Sequence, residues 1–214
     1  FLIDLSERGL VPDFLIRAGI RNLCRKRLQQ CKHDDCEANA ELAEKYIADS
    51  DASPMAVLTE KANQQHYEVP AEFYRYALGK NLKYSSCYYD SNTKSLDDAE
   101  DRALALTSEH AKLENGLDIL ELGCGWGSLS LWMAKHFPDS QITSISNSNS
   151  QREYILGQAR NRGYENLKVI TADINEFTTE STYDRVVSVE MFEHVRNHRE
   201  LFSRIHGWLK SGGK

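Results

Sequence analysis

The sequence predicts an α/β fold in which a parallel β-sheet follows a helical N-terminal region. From residue 117 onwards, short apolar runs alternate with stretches of helical periodicity. A glycine-rich loop joins the first apolar run to the first of these helices. Repeated βα units of this kind imply a parallel sheet with right-handed crossovers.

The composition is that of a globular domain. The 214 residues include 26 Lys and Arg against 32 Asp and Glu, a net charge of −6, with 41% hydrophobic and 27% charged residues. These fractions exclude collagen-like and low-complexity chains. No apolar run approaches the roughly 18 residues that a membrane span requires, so we do not expect an integral membrane protein.

Residues 10–50 are expected to form two or three helices. The sequence VPD at residues 11–13 is typical of a helix start, and residues 38–48 are rich in Ala, Glu and Leu. Residues 16–32 carry six basic side chains and no acidic one, and Arg17, Arg21 and Arg25 share a helical face. We interpret this face as solvated, with peripheral contact to an anionic membrane or an acidic partner as the alternative.

The cysteines predict neither a disulfide framework nor a metal site. They are odd in number and scattered, which favours a reducing, cytoplasmic setting. Organellar targeting stays open, because the chain starts at Phe1 rather than at an initiator Met. Cys31, His33 and Cys36 have CxHxxC spacing without a second ligand pair, whereas a structural zinc site needs four ligands, so no metal is expected.

The remaining elements are assigned in chain order. A short helix is expected near residues 70–78, followed by a turn at 79–81 and an aromatic stretch at 84–89. Another helix opens with Ser95 as its N-cap and Asp98 at the N3 position of a capping box. The four strands are expected at residues 117–122, 141–146, 167–172 and 183–189, with helices at 127–136, 150–162 and 197–209.

The glycine loop follows the first strand directly. Residues 121–127 read ELGCGWG, so Gly123, Gly125 and Gly127 alternate along the chain. Glycines at these positions let the backbone turn sharply and approach a ligand closely. The loop lacks the Lys-Ser/Thr pair of a Walker-type phosphate site. We therefore expect a ligand site at the carboxyl ends of the strands that is not a Walker site.

Polar side chains follow the next two strands at the same edge. The second strand ends at Ser146 and Asn147, with Gln151 one helical turn further on. The third strand leads to Asp173 and Ile174. A carboxylate that accepts from an exocyclic amine, beside an apolar side chain that packs on a ring, suits adenine. Helix capping alone is the simpler explanation for the serines after the second strand.

An acidic cluster follows the fourth strand. Glu190 and His194 are four residues apart and Glu193 adjoins His194, so a helical turn would gather two carboxylates and an imidazole. The order of acid and histidine is wrong for a zinc protease. A solvated first helical turn would explain Glu193, but it explains His194 poorly because the helix N-terminus disfavours a cation. The cluster therefore predicts a proton acceptor or an amine-binding group.

Several motifs together resemble a known family. ELGCGWGSLS at residues 121–130 and SVEMFEH at residues 188–194 resemble the S-adenosylmethionine methyltransferases of the coclaurine N-methyltransferase group, which is related to the cyclopropane fatty acid synthases. HYEVP at residues 66–70 and LKYSSCY at residues 82–88 resemble their shared upstream motifs. VPD at residues 11–13, with the basic helix after it, resembles the plant-type N-terminus. The resemblance covers nearly the whole chain.

The resemblance implies a fold, a cofactor and site residues. The fold is a Rossmann-like class I methyltransferase sheet (residues 95–214) with an N-terminal helical cap and active-site lid (residues 1–94). The cofactor is S-adenosyl-L-methionine, the product is S-adenosyl-L-homocysteine, and no metal is implied. The implied catalytic residues, which face the methyl-accepting nitrogen, are Glu190, Glu193 and His194. The implied cofactor contacts are Tyr84, Ser85, Glu121, Gly123, Gly125, Ser146, Asn147, Gln151, Asp173 and Ile174.

The expected reaction is methyl transfer to the nitrogen of a small amine, with Glu193 and His194 orienting and deprotonating the amine and Glu190 nearer the cofactor. One alternative is methylation or cyclopropanation of acyl-chain double bonds in phospholipids. The synthases carry Cys at the position of Ser86 and commonly Gly at that of Glu190, so both residues favour N-methylation. A non-catalytic subunit is the second alternative. A nucleic-acid partner is not expected for an acidic chain, and a homodimer stays open.

The length conflicts with a complete methyltransferase sheet. Such a sheet needs a fifth parallel strand after Ser211, where the chain reaches its last residue, Lys214. We expect the fourth strand to be left as a long apolar edge. The sequence therefore predicts a fragment that is poorly soluble and inactive by itself.

Overall fold

The computed structural model describes residues 2–32, 35–57 and 70–214. Within it the chain divides into two compact units, residues 1–50 and residues 51–214. Residues 51–94 therefore group with the sheet, and the function of residues 1–94 as cap and lid stays a prediction. His33 of the CxHxxC spacing and residues 66–69 of the HYEVP motif lie outside the described residues.

The first unit is helical, as the sequence predicts. It contains α1 (Leu2–Glu7), α2 (Asp13–Cys31) and most of α3 (Cys36–Asp51). Helix α2 begins directly after Pro12, whose fixed φ suits a helix start, and the Arg17 guanidinium bonds the Asp13 carboxylate one turn earlier at 2.6 Å. None of the residues of α2 is buried.

The second unit carries the sheet and its helices. Its helices are α4 (Ala71–Ala77), α5 (Leu96–His110), α6 (Ser128–His136), α7 (Asn149–Asn161) and α8 (His198–Trp208). Its strands are β1 (Asp118–Leu122), β2 (Gln141–Ser146), β3 (Leu167–Thr171) and β4 (Arg185–Val187), with a 3₁₀ turn at Phe192–His194. The predicted capping of α5 is confirmed, because the Ser95 hydroxyl accepts from the Asp98 N–H at 3.1 Å.

The four strands form one parallel sheet in the order β3-β2-β1-β4. In its register Leu120 of β1 lies opposite Thr143 of β2 on one side and Val186 of β4 on the other. The parallel α/β fold that the sequence predicts is therefore confirmed. All strands run in the same direction, so the segments that leave β1, β2 and β3 meet at one edge of the sheet.

Apolar side chains cover both faces of the sheet. On one face, Leu120 and Leu122 pack with Leu201 and Trp208 of α8. On the other face, Ile119 packs with side chains of α5 and α6, among them Leu104, Leu129 and Met133. A parallel sheet that is buried on both faces explains why its strands read as continuous apolar runs rather than as alternating ones.

The fourth strand differs from the prediction of a long apolar edge at residues 183–189. Strand β4 has three residues, because the Ser188 hydroxyl bonds the Leu122 carbonyl at 2.8 Å and the chain then leaves the sheet. Its outer edge is also paired: the Lys214 N–H donates to the Asp184 carbonyl at 3.0 Å, and the Val186 N–H donates to the Lys214 carbonyl at 2.9 Å. The predicted length of this edge is therefore wrong, although β4 is an edge strand of the four-stranded sheet.

Gly127 is the position where the glycine loop becomes helix α6. Its φ is +82°, and a Cβ atom there would lie 2.6 Å from the Cγ1 atom of Ile155 on α7. Gly127→Ala combines backbone strain with an overlap in the core, so we expect the free energy of unfolding to fall by about 2 to 4 kcal/mol. Urea denaturation monitored by circular dichroism measures this loss.

Gly163 provides the matched control. It follows α7 with a φ of +70°, but a Cβ atom there would have no other atom within 4 Å. Gly163→Ala should therefore cost only the backbone strain, about 1 kcal/mol. Equal losses for the two variants would show that the contact with Ile155 is not a packing constraint.

Candidate active site

A cavity of about 200 Å³ opens at the carboxyl ends of β1, β2 and β3. Every residue predicted to contact a cofactor lines this cavity, and Glu190 and His194 line it as well. Glu193 is exposed and is not part of the lining. The structure therefore brings together all but one of the predicted site residues, while their roles stay predictions. The predicted contacts in the lining are Tyr84, Ser85, Glu121, Gly123, Gly125, Ser146, Asn147, Gln151, Asp173 and Ile174.

The glycine loop forms one wall of the cavity. Two of its glycines have backbone conformations that other residues rarely adopt. Gly123 and Gly125 have φ values of +79° and +52°. A Cβ atom on Gly123 would lie 2.7 Å from the Met191 side chain, and one on Gly125 would lie 2.8 Å from the Tyr84 hydroxyl. The glycines thus allow both side chains to approach the loop backbone.

Gln151 presents an unused donor to the cavity. The Ser146 hydroxyl donates to the Gln151 Oε1 atom at 2.7 Å, which fixes the orientation of the amide. The Nε2 atom is buried and has no hydrogen-bond partner among the described residues. A buried amide donor without an acceptor is rare in native proteins. The wall is therefore suited to a ligand that brings an acceptor such as a hydroxyl oxygen.

Asp173 is held by a residue that the sequence analysis missed. Asn175 donates to the Asp173 Oδ1 atom through its backbone N–H at 2.8 Å and its Nδ2 atom at 2.9 Å. The same side chain accepts from the Ala56 N–H at 2.9 Å and donates to the Ala56 carbonyl at 3.1 Å. The spacing Asp-x-Asn is the signal of an Asx turn that could have indicated this residue.

Residues 51–57, for which the sequence predicted no function, form a strap beside the site. Ala56 and Val57 line the cavity, and Met55 is buried. The Met55 carbonyl accepts from the backbone N–H groups of Arg196 and Asn197. The Asn197 amide donates to the carbonyls of Asp51 and Ser53 at 2.9 and 3.0 Å. The strap thus joins the loop after β3 to the start of α8.

Glu121 is a buried carboxylate in the cavity wall. Its Oε2 atom accepts from the hydroxyl groups of Ser130 and Ser144. Burial raises the pKa of Glu121 above its ordinary value, and the two hydroxyl bonds oppose that shift. Glu121 in the folded protein therefore binds a proton more tightly than a glutamate side chain in water does.

Glu190 differs from the predicted helical turn. The turn includes only Phe192–His194, and Glu190 precedes it with a φ of +57°. The Ser86 hydroxyl, on a residue with a φ of +56°, donates to the Glu190 Oε1 atom at 2.7 Å. This hydrogen bond is the main cause of a lowered pKa for Glu190, with further lowering from Glu193 and Lys83. Glu190 is therefore a carboxylate at neutral pH.

The loop that contributes Tyr84 and Ser85 is anchored by Glu100 of α5. This fully buried carboxylate accepts from the backbone N–H groups of Gly79, Asn81 and Lys83 at 3.0, 2.7 and 3.1 Å. Burial raises the pKa of Glu100, while the three N–H groups act in the opposite direction. Three backbone N–H groups of the loop bond this one carboxylate and so hold the loop in place. The next residues, Tyr84 and Ser85, then line the cavity.

Within residues 2–32, 35–57 and 70–214, no group of three or more His, Cys, Asp or Glu side chains is arranged to hold a metal ion. Over the same residues, no helix has the length and apolar character that crossing a membrane requires.

Comparison with known proteins gives one family and a consistent set of relatives. The mycolic acid cyclopropane synthetase family matches residues 57–214. (S)-Coclaurine N-methyltransferase from Thalictrum flavum subsp. glaucum is 38% identical over 213 residues, which cover 99% of this chain and 59% of that enzyme. Cyclopropane-fatty-acyl-phospholipid synthase from Escherichia coli (strain K12) is 29% identical over 152 residues, 70% of this chain and 38% of that protein. The chain spans about 60% of the length of the N-methyltransferases that it matches.

Solved structures agree with this grouping. A crystal structure of coclaurine N-methyltransferase bound to N-methylheliamine and SAH superposes with a TM-score of 0.90 at 35% identity, covering 99% of this chain and 61% of that one. A mycolic acid cyclopropane synthase complexed with SAH and CTAB gives a TM-score of 0.62 at 26% identity, covering 69% and 52%. The fold is thus that of the class I S-adenosylmethionine-dependent methyltransferases, and the resemblance noted in the sequence is confirmed. The chain belongs to the mycolic acid cyclopropane synthetase family.

Proposed function

We propose that this chain carries the cofactor site and part of the acceptor site of an S-adenosyl-L-methionine-dependent methyltransferase that acts on the nitrogen of a small amine. One observation carries the proposal: a single cavity holds the unpartnered Gln151 amide, the Asp173 carboxylate and the pair Glu190 and His194. The similarity to coclaurine N-methyltransferase over 99% of the chain supports it.

The residues of the cavity fit the cofactor. The buried Nε2 atom of Gln151 is a donor suited to a ribose hydroxyl. Asp173, beside the apolar Ile174, is suited to the exocyclic amine and ring of adenine. The glycine loop leaves space for close approach of a ligand. When bound, S-adenosyl-L-methionine supplies a methyl group on a sulfonium sulfur, which an amine lone pair attacks while the carbon–sulfur electron pair returns to sulfur.

The acidic end of the cavity is suited to a protonated amine. Glu190 is an exposed carboxylate whose hydrogen bond from Ser86 keeps it ionised, so it can attract an ammonium group. The amine must lose its proton before its lone pair can attack, and His194 lines the same cavity as a proton acceptor. Glu193 lies beside Glu190, and a hydrogen bond between the two side chains contributes to the lowered pKa of Glu190. We assign amine orientation and deprotonation to Glu193 and His194, with Glu190 nearer the cofactor.

The Ser86–Glu190 hydrogen bond favours an amine over a lipid acceptor. It keeps Glu190 negatively charged in the lining of the cavity. This charge attracts a cationic substrate, whereas an apolar acyl chain would cover the charge without providing a partner for it. The E. coli synthase also matches less of the chain, and at lower identity, than the (S)-coclaurine N-methyltransferase of Thalictrum flavum does.

Two measurements test the proposed function. Calorimetric titration of the chain with S-adenosyl-L-homocysteine should show binding at a single site, and failure to bind would favour a non-catalytic role. Turnover is measured on the whole enzyme to which this chain is proposed to contribute. Its incubation with labelled S-adenosyl-L-methionine and either a panel of secondary and tertiary amines or phospholipid vesicles, followed by mass spectrometry, identifies the acceptor. We expect N-methylated amines, and methylated or cyclopropanated acyl chains alone would overturn the proposal.

The acid–base assignment is tested by Glu193→Gln combined with His194→Ala. Because general acid–base groups contribute about 10²- to 10⁴-fold, kcat should fall by that factor while the affinity for S-adenosyl-L-homocysteine changes less than about threefold. His206→Ala, an exposed histidine on α8, is the control and should leave both values unchanged. Unchanged turnover in the double variant would refute the assignment.

Glu121→Gln tests the buried carboxylate. Both serine hydroxyls donate to the same oxygen, so the amide carbonyl can keep both bonds while the titrating group is removed. The folded-state pKa of Glu121 is raised, so the folded wild type binds its proton more tightly than the unfolded chain. Wild-type stability should therefore fall relative to the variant as the pH rises from below the ordinary glutamate pKa through the folded-state pKa.

Urea unfolding of both proteins at several pH values between about 4 and 8 measures this difference. Since Glu121 is a proposed cofactor contact, the variant should also bind S-adenosyl-L-homocysteine about 10- to 100-fold more weakly, the loss expected for one charged hydrogen bond. Parallel stability curves at every pH would contradict a raised pKa.

A further inference from the structure

Lys83 is a buried cation in the cavity wall with no assigned role. It belongs to the loop between α4 and α5 that Glu100 anchors, and its side chain lines the cavity although the residue is only 5% exposed. Across the described ranges 2–32, 35–57 and 70–214, no carboxylate oxygen lies within 4.0 Å of its ammonium group, which makes no hydrogen bond there. Buried ammonium groups are normally paired, because burial without a partner is costly.

The acidic groups that act on Lys83 are Cys87, Glu190 and Glu100, and none of them supplies the missing partner. The Cys87 thiol bonds the Lys83 carbonyl at 3.5 Å. Glu100 is occupied by three backbone N–H groups, and the Glu190 Oε1 atom accepts from Ser86. Both act on Lys83 only at longer range, and burial outweighs them, so the pKa of Lys83 is lowered. Lys83 thus lines the cavity with an ammonium group that has no hydrogen-bond partner among the described residues.

Other features of the same wall also suit an anion. Ser128 lines the cavity as the first residue of α6, a nine-residue helix whose start has no side-chain cap. Backbone N–H groups and the positive end of the helix dipole lie at such a start. Ser85 adds a hydroxyl group to the lining, whereas the hydroxyl group of Thr107 donates to the Ala103 carbonyl at 2.9 Å. Glu190 attracts a cation at its own part of the lining, whereas a positive group placed against the Lys83 ammonium would be repelled, so a ligand group that binds at Lys83 carries negative charge.

We propose that Lys83 binds the carboxylate of the methionine tail of S-adenosyl-L-methionine and so makes the site selective for a cofactor that carries this group. The inference rests on the proposed function. Its chemistry is a charge-assisted hydrogen bond from the ammonium to a carboxylate oxygen, and such a bond is stronger beside a largely buried side chain than at a surface.

The test compares two ligands that differ only in this group. Binding of S-adenosyl-L-homocysteine and of its decarboxylated analogue is measured by calorimetry on the wild-type chain, on Lys83→Met and on Lys80→Met. Lys80 is the matched control, because it lies in the same loop but is exposed and paired with Asp101 at 2.6 Å. Lys83→Met retains the length and apolar stem of the side chain without its charge.

The wild type should bind S-adenosyl-L-homocysteine about 10- to 100-fold more tightly than the decarboxylated analogue. Lys83→Met should lose most of that preference by weakening only the binding of S-adenosyl-L-homocysteine, Lys83→Arg should restore part of it, and Lys80→Met should behave as the wild type. Lys83→Gln gives a second neutral variant if the methionine lowers the melting temperature.

Three results separate the possibilities. Equal affinity of the wild type for both ligands overturns the role of Lys83 and leaves the proposed function standing. Equal weakening of both ligands by Lys83→Met also overturns it, since that result indicates a structural role. Failure of the wild type to bind either ligand overturns the proposed function together with the inference.

Discussion

The carboxylate of Glu100 is the interaction on which the candidate site depends most. By accepting three backbone N–H groups it fixes the loop at residues 79–83 onto α5. The next residues then reach three separate parts of the site: Tyr84 lies over Gly125, Ser85 lines the cavity, and Ser86 bonds Glu190. A neutral side chain could not accept all three bonds equally well. These three hydrogen bonds offset the free-energy cost of burying the Glu100 carboxylate.

Backbone strain is concentrated where the upstream loop meets the segment after β4. Of the four described non-glycine residues with positive φ, Leu82, Ser86 and Glu190 all lie there. Such conformations cost about 1 to 3 kcal/mol each and persist where the surrounding structure enforces them. Here the constraint is visible, because two of the three are joined to each other through a 2.7 Å hydrogen bond. The strained pair holds a charged group at the mouth of the cavity, where a substrate would arrive.

The sequence predicted what depends on local pattern. The buried strands, the glycine loop and the Ser95 cap follow from periodicity and turn chemistry, and the structure has them at the expected positions. Features that depend on distant contacts could not be predicted. The pairing of β4 with Lys214, the contact of Glu190 with Ser86, and the bonds of the strap to Asn175 and Asn197 all join residues that are far apart in the sequence. Lys83 was overlooked because a lysine is expected at the surface.

The arrangement around Glu121 couples ligand binding to the exchange of a proton with solvent. Ser130 and Ser144 both donate to Oε2, so Oε1 is available without breaking either bond. A ligand cation against Glu121 would favour its ionised form and so oppose the upward shift of its pKa that burial causes. Ligand binding would then change the number of protons bound to the protein. The measured heat of binding would consequently depend on the ionisation enthalpy of the buffer. A ligand in the cavity could thus be detected by the protons that Glu121 exchanges with the buffer.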